Sequence, residues 1–245
     1  MAETKREIRI KQLAELLIGR EKVHLKAAAD SLNVSEMTIR RDFTEPNELV
    51  SLIGGYVVRK QGRSQNSGYF LDEQSANHVE EKKLIGQKAA QHVLENQTVF
   101  FDNGTSIVHI IQAIDDKIPF TGVCFSMNIF VALKRKPNCQ VVLCGGAYDP
   151  KFNNFYPLSE QSEIDNIRFD TVFISAAGVD PEQGITCYSF NELPYKRKAI
   201  KQTASVVLAA DHSKLGVVKS AFVCPLSAVH HFISDKALPP EYLIK

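Results

Sequence analysis

The chain has 245 residues, 44% apolar and 23% charged, ordinary values for a globular protein and enough for a small domain joined to a medium one. With 29 Lys/Arg against 28 Asp/Glu the formal charge is +1, which excludes an indiscriminate polycation. The 5 cysteines form no C-x-x-C pair and no apolar run approaches the roughly 18 residues of a membrane span, so metal, redox-framework and membrane classes are set aside.

Ile8, Ile10, Leu13, Leu16 and Leu17 repeat at helical spacing and predict a first helix. Residues 26–32 are short and alanine-rich, which lets two helices cross closely. Asn33 follows and tolerates the left-handed conformation of a tight turn. The next segment, 34–42, reads as a recognition helix. Ser35 is its N-cap, Ile39 and Phe43 turn inward, Met37 and Arg41 point away, and Thr38 and Arg40 lie on the flanks. Apolar runs at 49–53 and 56–58 flank Gly54-Gly55 and predict a β-hairpin. An Arg pair on an isolated helix usually marks only a solvated face. Here helix, tight turn, capped helix and hairpin in order predict a winged helix-turn-helix over 1–60, with the helix-turn-helix at about 22–41 and the wing at about 49–58. Lys26, Ser35, Met37, Thr38, Arg40 and Arg41 are the candidate contacts to double-stranded DNA. Residues 1–66 hold about 12 Lys/Arg against 9 Asp/Glu, a mild excess in the direction DNA binding requires.

After Val58 the composition turns polar and small, predicting a linker over 61–78. Helical periodicity resumes near Val79. From there to 245, apolar runs at 98–102, 121–125, 140–143, 170–175, 205–210 and 231–234 alternate with helical segments at 106–114, 128–133 and 192–204. Almost wholly apolar strands separated by helices predict a Rossmann-like α/β domain, a parallel sheet covered on both faces. Ligands of such sheets sit beyond the carboxyl ends of the strands.

Three strand ends stand out. Asp102-Asn103-Gly104-Thr105-Ser106 leads into a helix, and its glycine, hydroxyls and free N–H groups suit an anion. Ser126-Met127-Asn128 repeats the hydroxyl and amide after the next strand, and Gly145-Gly146 permits a ligand close to the backbone. None is a G-x-G-x-x-G or a Walker A loop. Further on, Asp180, Glu192, Lys196, Arg197 and Lys214 could meet a sugar's hydroxyls and its phosphate. Asp211-His212-Ser213 is no catalytic triad, because adjacent residues cannot converge as nucleophile, base and orienter.

Taken in order, residues 34–42, Gly54-Gly55, Glu80-Glu81-Lys82, Asp102-x-Gly104-Thr105, Ser126-x-Asn128, Gly145-Gly146, Gly178-Val179-Asp180 and Asp211-His212-Ser213-Lys214 resemble the DeoR family of bacterial repressors along nearly the whole chain. The resemblance implies a winged-helix reader joined to a sensor related to sugar-phosphate isomerases. An N-terminus without an apolar signal stretch predicts a cytoplasmic protein, a two-fold operator calls for a homo-oligomer of at least a dimer, and no cofactor, metal or catalytic residue is expected. The resemblance also implies an effector site of Asp102, Gly104, Thr105, Ser106, Ser126, Asn128, Gly145, Gly146, Asp180, Glu192 and Lys214 for a phosphorylated sugar. Leu25-Lys26-x-Ala28-Ala29, Gly54-Gly55-Tyr56, Ile118-Pro119-Phe120-Thr121 and Ser175-Ala176-Ala177-Gly178 resemble the branch controlling deoxyribonucleoside catabolism, which implies deoxyribose 5-phosphate. The competing expectation is an isomerase-like enzyme with an appended DNA-binding domain, using Asp102 and Glu192 as bases. Against it, 178–192 lacks the acid- and glycine-rich loops of those isomerases, and a fold can retain a pocket without its chemistry.

Overall fold

A computed structural model of the chain describes residues 4–17, 22–45, 47, 49–59, 77–150, 152–159 and 161–243. The chain divides into two compact units, Met1–Ser67 and Gly68–Lys245. Positions 61–76 of the expected linker lie outside the described residues, and Asn77 and His78 lead directly into a helix.

In the first unit, α1 (Lys5–Glu15) opens with a capping box between Thr4 and Glu7. Ile10, Leu13 and Leu17, at steps of three and four, share its buried face. Ile8 does not join them. It is 43% exposed, because a residue two before Ile10 sits about 200° around the helix. α2 (Leu25–Ser31) buries Leu25, Ala28 and Ala29, and Asn33 makes the turn at φ 51°. α3 (Glu36–Asp42) is capped by Ser35, whose hydroxyl accepts the Thr38 N–H at 3.1 Å, a cap worth about 1 kcal/mol. Ile39 is fully buried in the core that α1, α2 and the sheet complete. β2 (Val50–Ile53) and β3 (Tyr56–Arg59) pair around Gly54 and Gly55, whose φ values of 57° and 82° are the two positive values a type I′ turn requires.

The helix-turn-helix expected from residue 22 starts at Leu25. Lys22, Val23 and His24 instead form β1, antiparallel to β3, in a sheet of order β1-β3-β2. Only Val23 of the three points inward, and three residues are too few to declare a period of two.

The second unit is built on six parallel strands: β4 (Thr98–Phe101), β5 (Phe120–Cys124), β6 (Cys139–Leu143), β9 (Thr171–Ser175), β12 (Val206–Ala209) and β14 (His231–Ile233). A hairpin of β7 (Ala147–Asp149) and β8 (Asn154–Tyr156) lies outside this sheet, as does an antiparallel sheet of β10 (Gly178–Asp180), β11 (Gly184–Cys187) and β13 (Ala221–Cys224). The main sheet runs β14-β12-β9-β4-β5-β6. Read from β6, its strands come third, second, first, fourth, fifth and sixth, the doubly wound order. The winding reverses between β4 and β9, so a crevice opens at their carboxyl ends.

Alternation along β4 sends Val99 and Phe101 to one face and Phe100 to the other. The first face packs against α4 (Val79–Ala90), α5 (Thr105–Ala113) and α6 (Met127–Leu133). The second packs against α7 (Leu193–Lys201) and the antiparallel sheet. Each large side chain so buried contributes about 1.5–3 kcal/mol. α4 crosses α5 at Gly86, where a Cβ would stand 2.6 Å from the His109 carbonyl oxygen. That close crossing brings Lys82, one turn earlier, toward the start of α5.

Candidate functional site

The outer side of α3 presents Met37, 72% exposed, between the exposed Arg40 and Arg41, with Thr38 half-buried. Lys26 of α2 is also exposed. The Ser35 hydroxyl, a candidate DNA contact, serves within the helix, capping it and lying 2.9 Å from Thr38 Oγ1. Asp42 turns inward. Arg9 donates to both of its carboxylate oxygens at 2.7 Å, and Arg6 donates to its carbonyl at 3.0 Å and to that of Glu45 at 2.6 Å. The Asp42 hydrogen bonds hold Arg9 above the ordinary arginine range, and α1 thereby grips the end of the helix carrying the two outward arginines. The sequence reading missed this clamp.

A small cleft opens at the reversal between β4 and β9. It is lined by Asn103, Gly104, Thr105 and Ser106 after β4, by Ser175, Ala176 and Ala177 after β9, and by Asp211 and Lys214 after β12. Lys82, Glu192 and Lys196 complete it from the helices. Gly104 is required by close approach, since a Cβ there would fall on the Ser175 side chain. It offers no side-chain cap to α5, so the helix's opening N–H groups and positive end are left for a ligand. Lys82, only 4% exposed, donates to the Asn77 carbonyl at 2.7 Å. Burial pulls its pKa below the ordinary lysine value; Asp211 opposes this, Lys214 adds to it and Glu81 opposes it.

A buried ion triad lies beside these groups. Lys196 Nζ stands 2.8 Å from Asp102 Oδ2 and 3.1 Å from Glu192 Oε2. Burial alone would drive Lys196 toward neutrality, but Asp102 and Glu192 together outweigh it and hold the group well above the ordinary lysine range. Asp102 Oδ2 also accepts from the Ser175 N–H at 2.9 Å and hydroxyl at 2.7 Å. Its other oxygen, Oδ1, is buried with no hydrogen-bond partner among the described residues. Burial pushes the Cys187 thiol up to about 11, so this lining cysteine offers no thiolate. One molecule carrying an anion could use the helix end and the lysines at once.

The structure thus gathers Gly104, Thr105, Ser106, Glu192 and Lys214, with Asp102 joined to them through Lys196. Five other expected residues do not line the cleft. The Ser126 hydroxyl donates to the Asn153 carbonyl at 3.4 Å, and Asn128 Oδ1 accepts from the Asn153 amide at 2.5 Å. The Gly145 carbonyl accepts from Tyr195, and Gly146 at φ 135° lets the Tyr156 carbonyl pass. Asp180 accepts from the N–H groups of Glu182 and Gln183, closing a turn. Asp211 accepts from the Ser213 hydroxyl, whereas His212 pairs with Asp235 at 2.7 Å, so the adjacent Asp-His-Ser is no relay. Lys82 and Ser175 are absent from the sequence-based site, and Lys196 entered it only among possible sugar contacts. Among the described residues no three His, Cys, Asp or Glu side chains form a metal-binding group, and no helix is long and apolar enough to cross a membrane.

Comparison with known proteins follows the same division. Residues 9–61 match the DeoR-like helix-turn-helix domain and residues 77–236 the DeoR C terminal sensor domain. The chain is 44% identical over 241 residues to the deoxyribose operon repressor of Escherichia coli (strain K12), covering 98% of this chain and 95% of that protein. It is 28% identical over 237 residues to the HTH-type transcriptional regulator GlpR of Haloferax volcanii, covering 95% and 91%. Among solved structures, ribose 5-phosphate isomerase A from Methanocaldococcus jannaschii aligns with a TM-score of 0.44 and 12% identity, covering 57% of this chain and 55% of that one.

Proposed function

The chain belongs to the DeoR family of helix-turn-helix regulators, and from that membership we propose that it represses an operon of deoxyribose or deoxyribonucleoside catabolism and leaves its operator when deoxyribose 5-phosphate occupies the cleft. The observation that carries this reading is the 44% identity to a deoxyribose operon repressor, sustained over 98% of the chain. In the cytoplasm, Arg40 and Arg41 meet operator phosphates or guanine edges, Met37 and Thr38 meet base methyls and polar edges, and Lys26 meets the backbone. A two-fold operator calls for at least a dimer.

In the cleft, the phosphate sits against the start of α5 at Gly104, Thr105 and Ser106, with Lys82 and Lys214 as counter-charges. Binding without turnover is favoured because Glu192, a candidate base, is already engaged by Lys196 at 3.1 Å. Release requires the effector to prefer the DNA-free arrangement.

A mobility shift with DNA upstream of the chain's own gene tests this, run with deoxyribose 5-phosphate, ribose 5-phosphate or buffer. The shifted band should form in buffer and disappear at lower concentrations of deoxyribose 5-phosphate than of ribose 5-phosphate. No band under any condition removes the repressor reading, and a band indifferent to both sugars removes the effector.

A further inference from the structure

Two routes connect the cleft to the first residues of the sensor. Lys82 lines the cleft, yet its ammonium donates to the Asn77 carbonyl, five residues earlier in the chain. Lys214, which also lines it, ends a 3-10 turn that begins at His212, and the His212 ring meets the His78 ring edge-on with centroids 5.8 Å apart. His212 is firmly placed: Asp235 accepts its backbone N–H at 2.8 Å and lies 2.7 Å from Nδ1. His78 Nδ1 stands 3.5 Å from Glu81.

His78 adopts φ 55° and ψ 43°, the left-handed region, and begins α4 without a side-chain cap. A non-glycine residue holds that conformation only while its surroundings enforce it. The contacts on it here include the Lys82 ammonium on the neighbouring carbonyl, the Lys82 N–H on its own carbonyl at 3.0 Å, Glu81 beside its ring, and the ring contact with His212. Charged phosphate oxygens bind an ammonium about twice as strongly as a neutral carbonyl does, so the side chain settles where the phosphate holds it best. A phosphate in the cleft therefore competes with Asn77 for Lys82, while its pull on Lys214 acts on the turn that carries His212.

We propose that residues 77–82 are the switch of this regulator: an anion in the cleft draws Lys82 off the Asn77 carbonyl, and His78 leaves its left-handed turn where the chain arriving from the DNA-binding unit joins the sensor. The inference rests on the effector reading above and assigns His78, outside the cleft lining, to coupling rather than to binding.

The test measures the affinity of deoxyribose 5-phosphate for the full chain by calorimetry, with and without saturating operator. The ratio of the two affinities is the coupling factor, about 5–150 in ordinary allosteric proteins. His78→Ala should bind the sugar phosphate without DNA within about twofold of the wild type and bind operator normally. Its coupling factor should fall at least about fivefold. Lys82→Met should lose both sugar-phosphate affinity and coupling. If both variants bind the ligand and keep the wild-type coupling factor, the switch is overturned and the effector reading stands. If the wild type binds no deoxyribose 5-phosphate, or binds it equally with and without operator, the effector reading falls and the switch with it.

Discussion

Asp42 closes the recognition helix with both carboxylate oxygens engaged by Arg9 and its carbonyl engaged by Arg6. Asp102, as deeply buried, gathers Lys196 and both donors of Ser175 onto one oxygen and leaves the other without a partner among the described residues. The first arrangement is complete within the chain and its role is mechanical, fixing where Arg40 and Arg41 point. The second is incomplete. An unsatisfied buried acceptor costs about 1–3 kcal/mol, a penalty that persists at sites where a ligand will complete the hydrogen bonding. Buried charge alone therefore does not distinguish the two arrangements; the unfilled valence does.

Removing the cation from each arrangement should separate them most sharply in the sensor. Lys196→Met keeps the stem and leaves Asp102 and Glu192 buried and mutually repelling, a loss of about 3–5 kcal/mol in the stability of that unit. Calorimetry of the full chain should show the sensor's melting fall by roughly 10 °C while the reader's transition stays in place. A variant that melts like the wild type would mean that the triad is hydrated and the contrast with Asp42 false. In the reader, Asp42→Asn sets an amide against Arg9. Because Arg9 keeps 20% of its side-chain exposure and can be rehydrated, the expected loss is smaller, about 2 kcal/mol. Operator affinity should fall while sugar-phosphate affinity is unchanged; a parallel fall in both would show that the clamp is not confined to the reader.

How much of this was legible in the sequence follows from the length and polarity of each element. The six parallel strands announced themselves because both faces are covered and their residues are nearly all apolar. β1 did not, since Lys22 and His24 flank a single buried valine. The antiparallel β10, β11 and β13, three or four residues long, are too short to show a period of two and are absent from the predicted strands. In the cleft, Gly104, Thr105 and Ser106 were found because strand ends in a doubly wound sheet are where ligands go. Lys82 was passed over because Glu80-Glu81-Lys82-Lys83 reads as a solvated helix face, and only the crossing at Gly86 buries it. Lys196 sits in a basic run with Arg197 and Lys198. Its one available signal was Glu192, a full turn earlier and flanking the same helix. Ser126 and Asn128 carried the right functional groups for a ligand loop, but both are used to hold Asn153 at the β7–β8 hairpin.

The smallest expected effect concerns how the incomplete site responds to pH, a property the clamp at Asp42 should lack. Lys82 faces Asp211, Lys214 and Glu81, and burial has lowered its pKa. It also faces His109, which burial first and the charge of Lys82 next hold below the ordinary histidine range. A bound phosphate stabilises the charged ammonium, so affinity is full below the pKa of Lys82 in the free protein and declines as pH rises through it. Half-titration halves the affinity, about 0.4 kcal/mol, and each further unit removes up to about tenfold. On the acid side affinity falls again as the phosphate takes up its second proton, near pH 6. Titrating deoxyribose 5-phosphate affinity from pH 6 to 10 should therefore give an alkaline decline that starts earlier than an ordinary lysine would produce. Lys82→Met should bind more weakly throughout and lose that early decline. An early decline unchanged in Lys82→Met would place the titrating group elsewhere and leave Lys82 as a lining residue without a direct bond to the phosphate.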